Sequence, residues 1–498
     1  MLRHNQIKES KNKIFICILL FIVTLLFMIN SPLHFGRNEI SKTDSSVFRT
    51  IAMMMDEGYM PYKDTFDHKG PLIYIINWLA RKINNQNGIF WFEFIGLFTT
   101  FTMMYKMAYL KCSRAISFLI MLMAMIPLFK YYDGGNYTEE FALPFIAISL
   151  FCFLDYFWNA NYSVKRLIVC GFSFAAVCLL RINMVSVWGV FCIAIVIHSI
   201  CKKRFNDLKN FIIYFCVGIV ILVVPIVCWL YYNGALYDCW MQYIEFNILY
   251  SKYNSGSVLN SLLGTLKFCT EPITLIAIGI NLGLIFGNLR KRECIYVIYF
   301  VYIISTIVLI NMSGKGFNHY GMILVPALCF PYAALYERYV GKKKILWTLQ
   351  LLFVCIFMIA GGSWWKSTLQ NNIFTLINGG ETNKNSVVDE ICSIIGEQSS
   401  KEDKISVYGN WDIIYLESGR LPATKYSYQF NIYLVEPNIM NEYFEQLEEE
   451  QPSFIVLQKN RYDERIENFI ENNDYSLVWN EDVNLYEGAS LFIKNKSE

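Results

Sequence analysis

The chain carries its chemically capable side chains in a few short clusters. The stretch "DTFDHKGPLIYIINW", Asp64 to Trp78, sets Asp67, His68 and Lys69 side by side against Gly-Pro. Upstream, Asp44 opens "DSSVFRTIAMMMDEG"; downstream, "YYDGGNYTEE" ends on Glu139 and Glu140, with Asn136 just before them. Arg181 stands in "LLRINMV", and Lys315, His319 and Tyr320 follow one another in "SGKGFNHYG". A positioned carboxylate can take a proton from a hydroxyl as a general base. It can equally cap a helix or answer the helix dipole, and at Asp44, Glu139 and Glu140 both readings are open. A lysine such as Lys69 supplies a compact positive charge to a phosphate, or simply snorkels to lipid headgroups. His68 can share a proton with a phosphate or be incidental to the turn. An arginine between apolar runs calls for an anionic partner, and for Arg181 a lipid phosphate and a structural salt bridge serve equally.

Metal and nucleotide chemistry find little support. The histidines, His4, His34, His68, His198 and His319, are scattered, with no H-E-x-x-H pattern. The one candidate for a divalent cation is a pair of carboxylates from distant segments, Asp44 and Glu139. No G-x-x-x-x-G-K-[ST] loop and no G-x-G-x-x-G after a strand is present, which argues against a nucleotide-driven pump or a nucleotide-sugar Rossmann enzyme. The 15 cysteines lie mostly in apolar segments without a C-x-x-C pair and read as packing residues.

The elements that must position these clusters are membrane helices. Of 498 residues, 55% are hydrophobic and 17% charged, against about 25% charged in soluble domains. Apolar runs long enough to cross a hydrocarbon core recur, at about 14–31, 89–109, 115–130, 139–158, 166–181, 184–201, 211–232, 271–289, 294–311, 320–338 and 345–361, about eleven spans in all. The first is read as a retained span rather than a signal peptide. The connections "LKCSR", "VKR", "CKKRFNDLK", "NLRKRE" and "ERYVGKKK" are short and basic and belong inside, so the N-terminus is cytoplasmic and the polar clusters fall on the outer face. The net charge of +2 is spread over these loops and forms no nucleic-acid-binding patch.

Between the first two spans lies a loop far longer than a connector needs. In it Val47, Ile51 and Met54 form one helical stripe, fitting a helix along the membrane surface. Pro61 and Gly70-Pro71 then enforce an irregular turn, and Pro71 opens a second helix, "PLIYIINWLARKI". The outside segment "NGALYDCWMQYIEFNILYSKYNSGS" is rich in Trp and Tyr, suited to anchoring at the interface and also to stacking on sugars. Residues 363–498 are polar and acidic, with strand-like "KISVYG", "SFIVLQK" and "SLFIKN" and helical "RYDERIENFIENN", a small extracytoplasmic α/β domain following a membrane module of 1–362.

An acidic residue after the first span, a surface helix, G-x-x-P-Y and then Lys-Gly-Pro-Leu before an aromatic helix resembles the first outside loop of the C-type (GT-C) membrane glycosyltransferases. "YYDGGNYTEEFALP" and "SGKGFNHYGMILVP" at the outer ends of spans extend the likeness over most of the membrane part. It is nearest to bacterial relatives of the protein O-mannosyltransferases and of the lipid A aminoarabinose transferase. The Trp-Trp-Asp hallmark of oligosaccharyltransferases is absent, and "NWDII" at Asn410 is not it. The resemblance implies a bacterial plasma-membrane enzyme that moves a sugar from a polyprenyl phosphate to a hydroxyl acceptor, a wall polymer, lipid or protein. It implies Asp44 as the base, with Glu139 as a second functional carboxylate, and Lys69 as the donor-phosphate ligand. His68, Arg181, Lys315, His319 and Tyr320 join the phosphate site, and Glu140 and Asn136 fall on the acceptor side. No cofactor is firmly implied beyond that possible divalent cation. The rival classes are a transporter of lipid-linked glycan, which needs a polar path through the spans, and a non-catalytic envelope assembly factor.

Overall fold

The computed structural model describes residues 2–29, 31, 43–159, 163–254, 258–288, 294–312, 316–377, 386–461, 463–481 and 488–495. Among these, six helices are long and apolar enough to cross a membrane: Gly88–Tyr109, Arg114–Tyr131, Thr138–Asn159, Phe205–Tyr232, Asn318–Arg338 and Lys343–Gln370. A pair bent by 82°, Asn260–Cys269 and Pro272–Gly287, makes up to a seventh span, and Asn12–Met28, Ser186–Cys201 and Ile295–Ile310 are shorter apolar helices. At 1.5 Å per residue a 22-residue helix is about 33 Å long, the thickness of the hydrocarbon core. The chain divides into two compact units.

The first unit comprises residues 1–34, 90–226 and 254–376 and holds most of the helices. Small residues set its closest approaches: a Cβ on Gly171 would stand 1.9 Å from the Phe215 carbonyl oxygen, and one on Gly218 would stand 2.1 Å from that of Ile168. Helices pack this closely in lipid only where side chains are minimal. The outer sides of Phe205–Tyr232 and Lys343–Gln370 expose Val220, Ile221, Val224, Leu351, Leu352 and Met358, a face fit for lipid rather than water.

Prolines reshape two expected spans. The expected helix over 320–338 is a 3₁₀ stretch, Asn318–Leu328, carrying Pro326, followed by the α-helix Cys329–Arg338. The expected helix over 115–130 is Arg114–Ala124 and Ile126–Tyr131, broken at Met125 just ahead of Pro127. In both places a proline withholds an N–H and crowds the preceding turn.

The second unit comprises residues 35–89, 227–253 and 377–498. The long loop between the first two expected spans thus shares a unit with the polar C-terminal segment. A four-stranded sheet of β1 (Ile405–Tyr408), β2 (Phe454–Gln458), β3 (Tyr475–Glu481) and β4 (Ala489–Lys494) has the order β1-β2-β4-β3. β1 and β2 are parallel, with Ile405 opposite Phe454, and the other pairings are antiparallel. Helices Ser386–Gln398 and Ile413–Ser418 supply Ile391, Ile395 and Ile414 to a core completed by Val407, Val456 and Leu491.

Met53, from the helix Thr43–Asp56, joins that core. The stripe expected to face the membrane surface is likewise covered by protein: Val47, Ile51 and Met54 are buried. Amphipathic spacing marks an apolar face without saying what covers it. The next helix, Pro71–Ile83, begins as expected, with Gly70 outside it and Pro71 in its first turn.

Candidate functional site

In the second unit, the turn before Pro71 is fastened from three segments of chain. Within the turn, the Met60 N–H donates to the Asp64 carboxylate at 2.7 Å, and Tyr62 sits at φ 71°. From the π-helical stretch Trp240–Glu245, Gln242 donates to the Tyr62 carbonyl at 2.6 Å and accepts from the Asp67 N–H at 3.3 Å. Asn247 donates to the His68 carbonyl at 2.6 Å. From the C-terminal segment, the Lys425 carbonyl accepts from the Phe66 N–H at 2.8 Å, and the Tyr428 hydroxyl donates to Asp67 at 2.9 Å.

Asp67 is the centre of this arrangement, although the sequence assigned it no role beside His68 and Lys69. It is buried, and it accepts from the Tyr74 and Tyr428 hydroxyls and from the His68 N–H. Burial raises its pKa above the ordinary carboxylate value, with the Lys69 charge and the two phenols opposing. Its Oδ1 stands 3.4 Å from His68 Nδ1, while His68 Nε2 is 3.1 Å from Lys69 Nζ. An ammonium can only donate, so in this contact Nε2 is the acceptor. The imidazole is stacked on Tyr250 with centroids 5.3 Å apart. The Lys69 carbonyl accepts from Tyr62 at 2.7 Å, fixing the backbone from which the half-buried side chain projects. In the segment "NGALYDCWMQYIEFNILYSKYNSGS", Tyr250 stacks on His68, while Tyr237 and Trp240 are exposed.

Asp44 lies half-buried in the first turn of Thr43–Asp56, inside the helix, where its charge meets the positive end of the dipole. Beneath it the C-terminal segment brings Asp412, fully buried, with neither oxygen in hydrogen-bond geometry with any described group. Burial lifts its pKa to about 7, the charges of Asp67 and Asp44 add to the shift, and Ser427 offsets it only in part. An aspartate inside an aromatic "NWDII" gives no sign of this from sequence.

In the first unit, a second cluster gathers at the start of Thr138–Asn159. Glu139 pairs with Arg181 and accepts from the Thr138 hydroxyl at 2.9 Å, so the salt-bridge alternative for Arg181 is realised. The guanidinium also lies 4.4 Å over the Tyr320 ring, a cation–π contact. His319 stacks on Tyr137 with centroids 4.2 Å apart, and its Nδ1 is 3.9 Å from Asp133. Glu140 and Asn136 point inward, 1% and 0% exposed, and are engaged with Glu93. Glu93 was legible in principle, since an acid within an apolar span is expensive unless it has a task. Lys315 lies outside the described residues. Among the described residues no three His, Cys, Asp or Glu side chains are grouped to hold a metal ion.

Comparison with solved structures identifies the fold. ArnT from Cupriavidus metallidurans bound to undecaprenyl phosphate matches with a TM-score of 0.59 at 10% identity, over 97% of this chain and 98% of that one. The apo state of the same protein matches with a TM-score of 0.55 at 10% identity over the same shares, 97% and 98%. The archaeal oligosaccharyltransferase AglB from Archaeoglobus fulgidus, in complex with an inhibitory peptide and a dolichol-phosphate, matches with 0.51 at 10% identity, over 90% of this chain and 70% of that one. The chain shares the fold of these solved structures, the fold that the resemblance of its sequence implies. No curated protein matches the sequence. The family described as "Putative competence-induced protein Ccs4 N-terminal domain" matches residues 3–344, well over half of the chain, and the chain belongs to that family.

Proposed function

We propose that the protein is an integral membrane glycosyltransferase that moves a sugar from a polyprenyl-phosphate donor to a hydroxyl acceptor on the outer face of a bacterial plasma membrane. The observation that carries this reading is Lys69: a half-buried ammonium 3.1 Å from the His68 imidazole, on a turn fastened from three segments, within a GT-C fold. A cation so fixed loses little freedom when a phosphate arrives, and its charge-assisted hydrogen bonds strengthen as negative charge develops on the leaving group.

In this reading Asp44 accepts the proton of the acceptor hydroxyl while the hydroxyl oxygen bonds to the anomeric carbon. The bond from that carbon to the phosphate oxygen breaks, its electron pair leaves with the polyprenyl phosphate, and the configuration inverts. Lys69, assisted by His68, receives the leaving phosphate. In the first unit, Arg181 with Tyr320, and His319 with its Tyr137 stack, form an anion-binding group whose charge is set by Glu139 and Asp133.

The test is equilibrium binding of undecaprenyl phosphate to the purified protein. Lys69→Ala should weaken it at least about tenfold, the effect of losing one charge-assisted hydrogen bond. Unchanged affinity in that variant removes Lys69 from the phosphate site.

A further inference from the structure

The turn "DGGN" between Tyr132 and Tyr137 is the most contorted backbone in the first unit. Asp133, Gly134, Gly135 and Asn136 have φ of 49°, 97°, 78° and 55°, a run of four left-handed residues. Glycine enters that region freely, but Asp and Asn do so only at a cost of about 1–3 kcal/mol each and need surroundings that enforce it. Those surroundings are two buried acids. The Asn136 N–H donates to Glu93 Oε1 and to Glu140 Oε2, both at 2.8 Å. The Ser31 hydroxyl donates to Glu93 Oε2 at 3.0 Å, tying the end of the first helix to the same point. Glu93 and Glu140 are 0% and 1% exposed. Two carboxylates from different helices thus converge on one backbone N–H and fix it from both sides. Space is closed around them as well: a Cβ on Gly135 would meet the Tyr132 hydroxyl at 2.4 Å and Glu93 Oε1 at 2.5 Å.

The turn carries the second cluster. Asp133, its first residue, faces His319; Tyr137, directly after it, stacks on His319; Glu139, two residues further, pairs with Arg181. Asp133, Tyr137 and Glu139, which meet His319 and Arg181, therefore hang from backbone whose conformation Glu93 and Glu140 enforce.

We propose that Glu93 and Glu140 are a positioning pair that locks the Asp133–Asn136 turn and thereby holds His319 and Arg181 ready for an anionic ligand, the phosphate of a polyprenyl lipid. The identity of the ligand rests on the function proposed above; the locking of the turn does not. Neither acid touches the ligand, and their effect passes through the backbone.

The experiment uses the full-length purified protein and two readouts, amide hydrogen exchange in the peptide containing Asn136 and binding of undecaprenyl phosphate. Glu93→Ala removes the acceptor and should speed exchange and weaken lipid binding, each about tenfold or more. Glu93→Gln keeps a carbonyl oxygen for the Asn136 N–H and sets its amide nitrogen beside the Ser31 hydroxyl, which can accept from it. It should restore both readouts to within about threefold of wild type, which a general loss of packing would not allow. If Glu93→Ala fails to fold, Gly135→Ala perturbs the same turn from the backbone side and should accelerate the same exchange. Unchanged exchange in these variants overturns the locking role. Faster exchange with undiminished lipid binding overturns the link to the ligand. A wild-type protein that ignores undecaprenyl phosphate, while its Asn136 peptide behaves as stated, refutes the lipid-phosphate function together with the ligand half of the proposal and leaves the lock supported.

Discussion

Replacing Asp412 by Asn should stabilise the protein, and increasingly so as the pH rises. Asp412 is fully buried, no cation among the described residues pairs with its carboxylate, and its pKa rises from 3.8 to about 7 on folding, the Ser427 hydroxyl offsetting the shift only in part. A folded-state pKa above the unfolded one means that folding binds a proton. The stability tied to that proton is fully present below pH 3.8 and is lost as the pH rises through about 7. At about 1.4 kcal/mol per pKa unit, the loss is roughly 2 kcal/mol at pH 5 and roughly 4 kcal/mol at pH 8. Asparagine has the same shape and no charge to bury, so it escapes this dependence. In parallel thermal melts of the purified protein in detergent at one scan rate, the variant's advantage in Tm should grow from pH 5 to pH 8 by ~5–10 °C, taking ~2–4 °C per kcal/mol. A constant gap across that range, or a variant less stable than wild type at pH 8, would refute the reasoning that Asp412 is buried, unpaired and proton-binding.

Two further outcomes follow from the clusters. Asp67→Asn removes the charge beside His68 Nδ1 and one acceptor of the Tyr74 and Tyr428 hydroxyls; kcat/KM should fall at least about tenfold, and Tyr428→Phe, which removes one neutral donor, should cost about fivefold. Steady-state kinetics on the three proteins checks the order, wild type above Tyr428→Phe above Asp67→Asn. Arg181→Gln strips the buried Glu139 of its counter-charge and should destabilise the fold by about 3–5 kcal/mol, whereas Arg181→Gln combined with Glu139→Gln should recover most of the loss. Melting temperatures of single and double variants give the comparison.

What could be read from the sequence was local, and what could not was contributed from far along the chain. Gly70-Pro71 announced a turn and a helix start because proline is tolerated only there, and β1, β2 and β4 were visible as short β-branched runs. β3 was not, since "YSLVWNE" is an edge strand with its middle residues largely exposed and reads as neither buried run nor clean alternation. Lys69 stood out, but Asp67, which orients its neighbour, did not: its partner Tyr428 lies 361 residues away. The stripe on Thr43–Asp56 was legible as a stripe, while its covering is built by segments remote in sequence. Glu139 and Arg181 each looked available for a ligand because neither, alone, discloses the other 42 residues away.

The central claim, that this chain breaks a sugar–phosphate bond in a lipid-linked donor, is tested most directly by release of free undecaprenyl phosphate. Purified protein would be given undecaprenyl-phosphate-linked hexose and pentose donors with a panel of hydroxyl acceptors, and the lipid product quantified. The account predicts acceptor-dependent release by the wild type and its loss, by at least about a hundredfold, in a folded Asp44→Asn variant. Donor recovered intact from the wild type, or Asp44→Asn turning over at the wild-type rate, would contradict it.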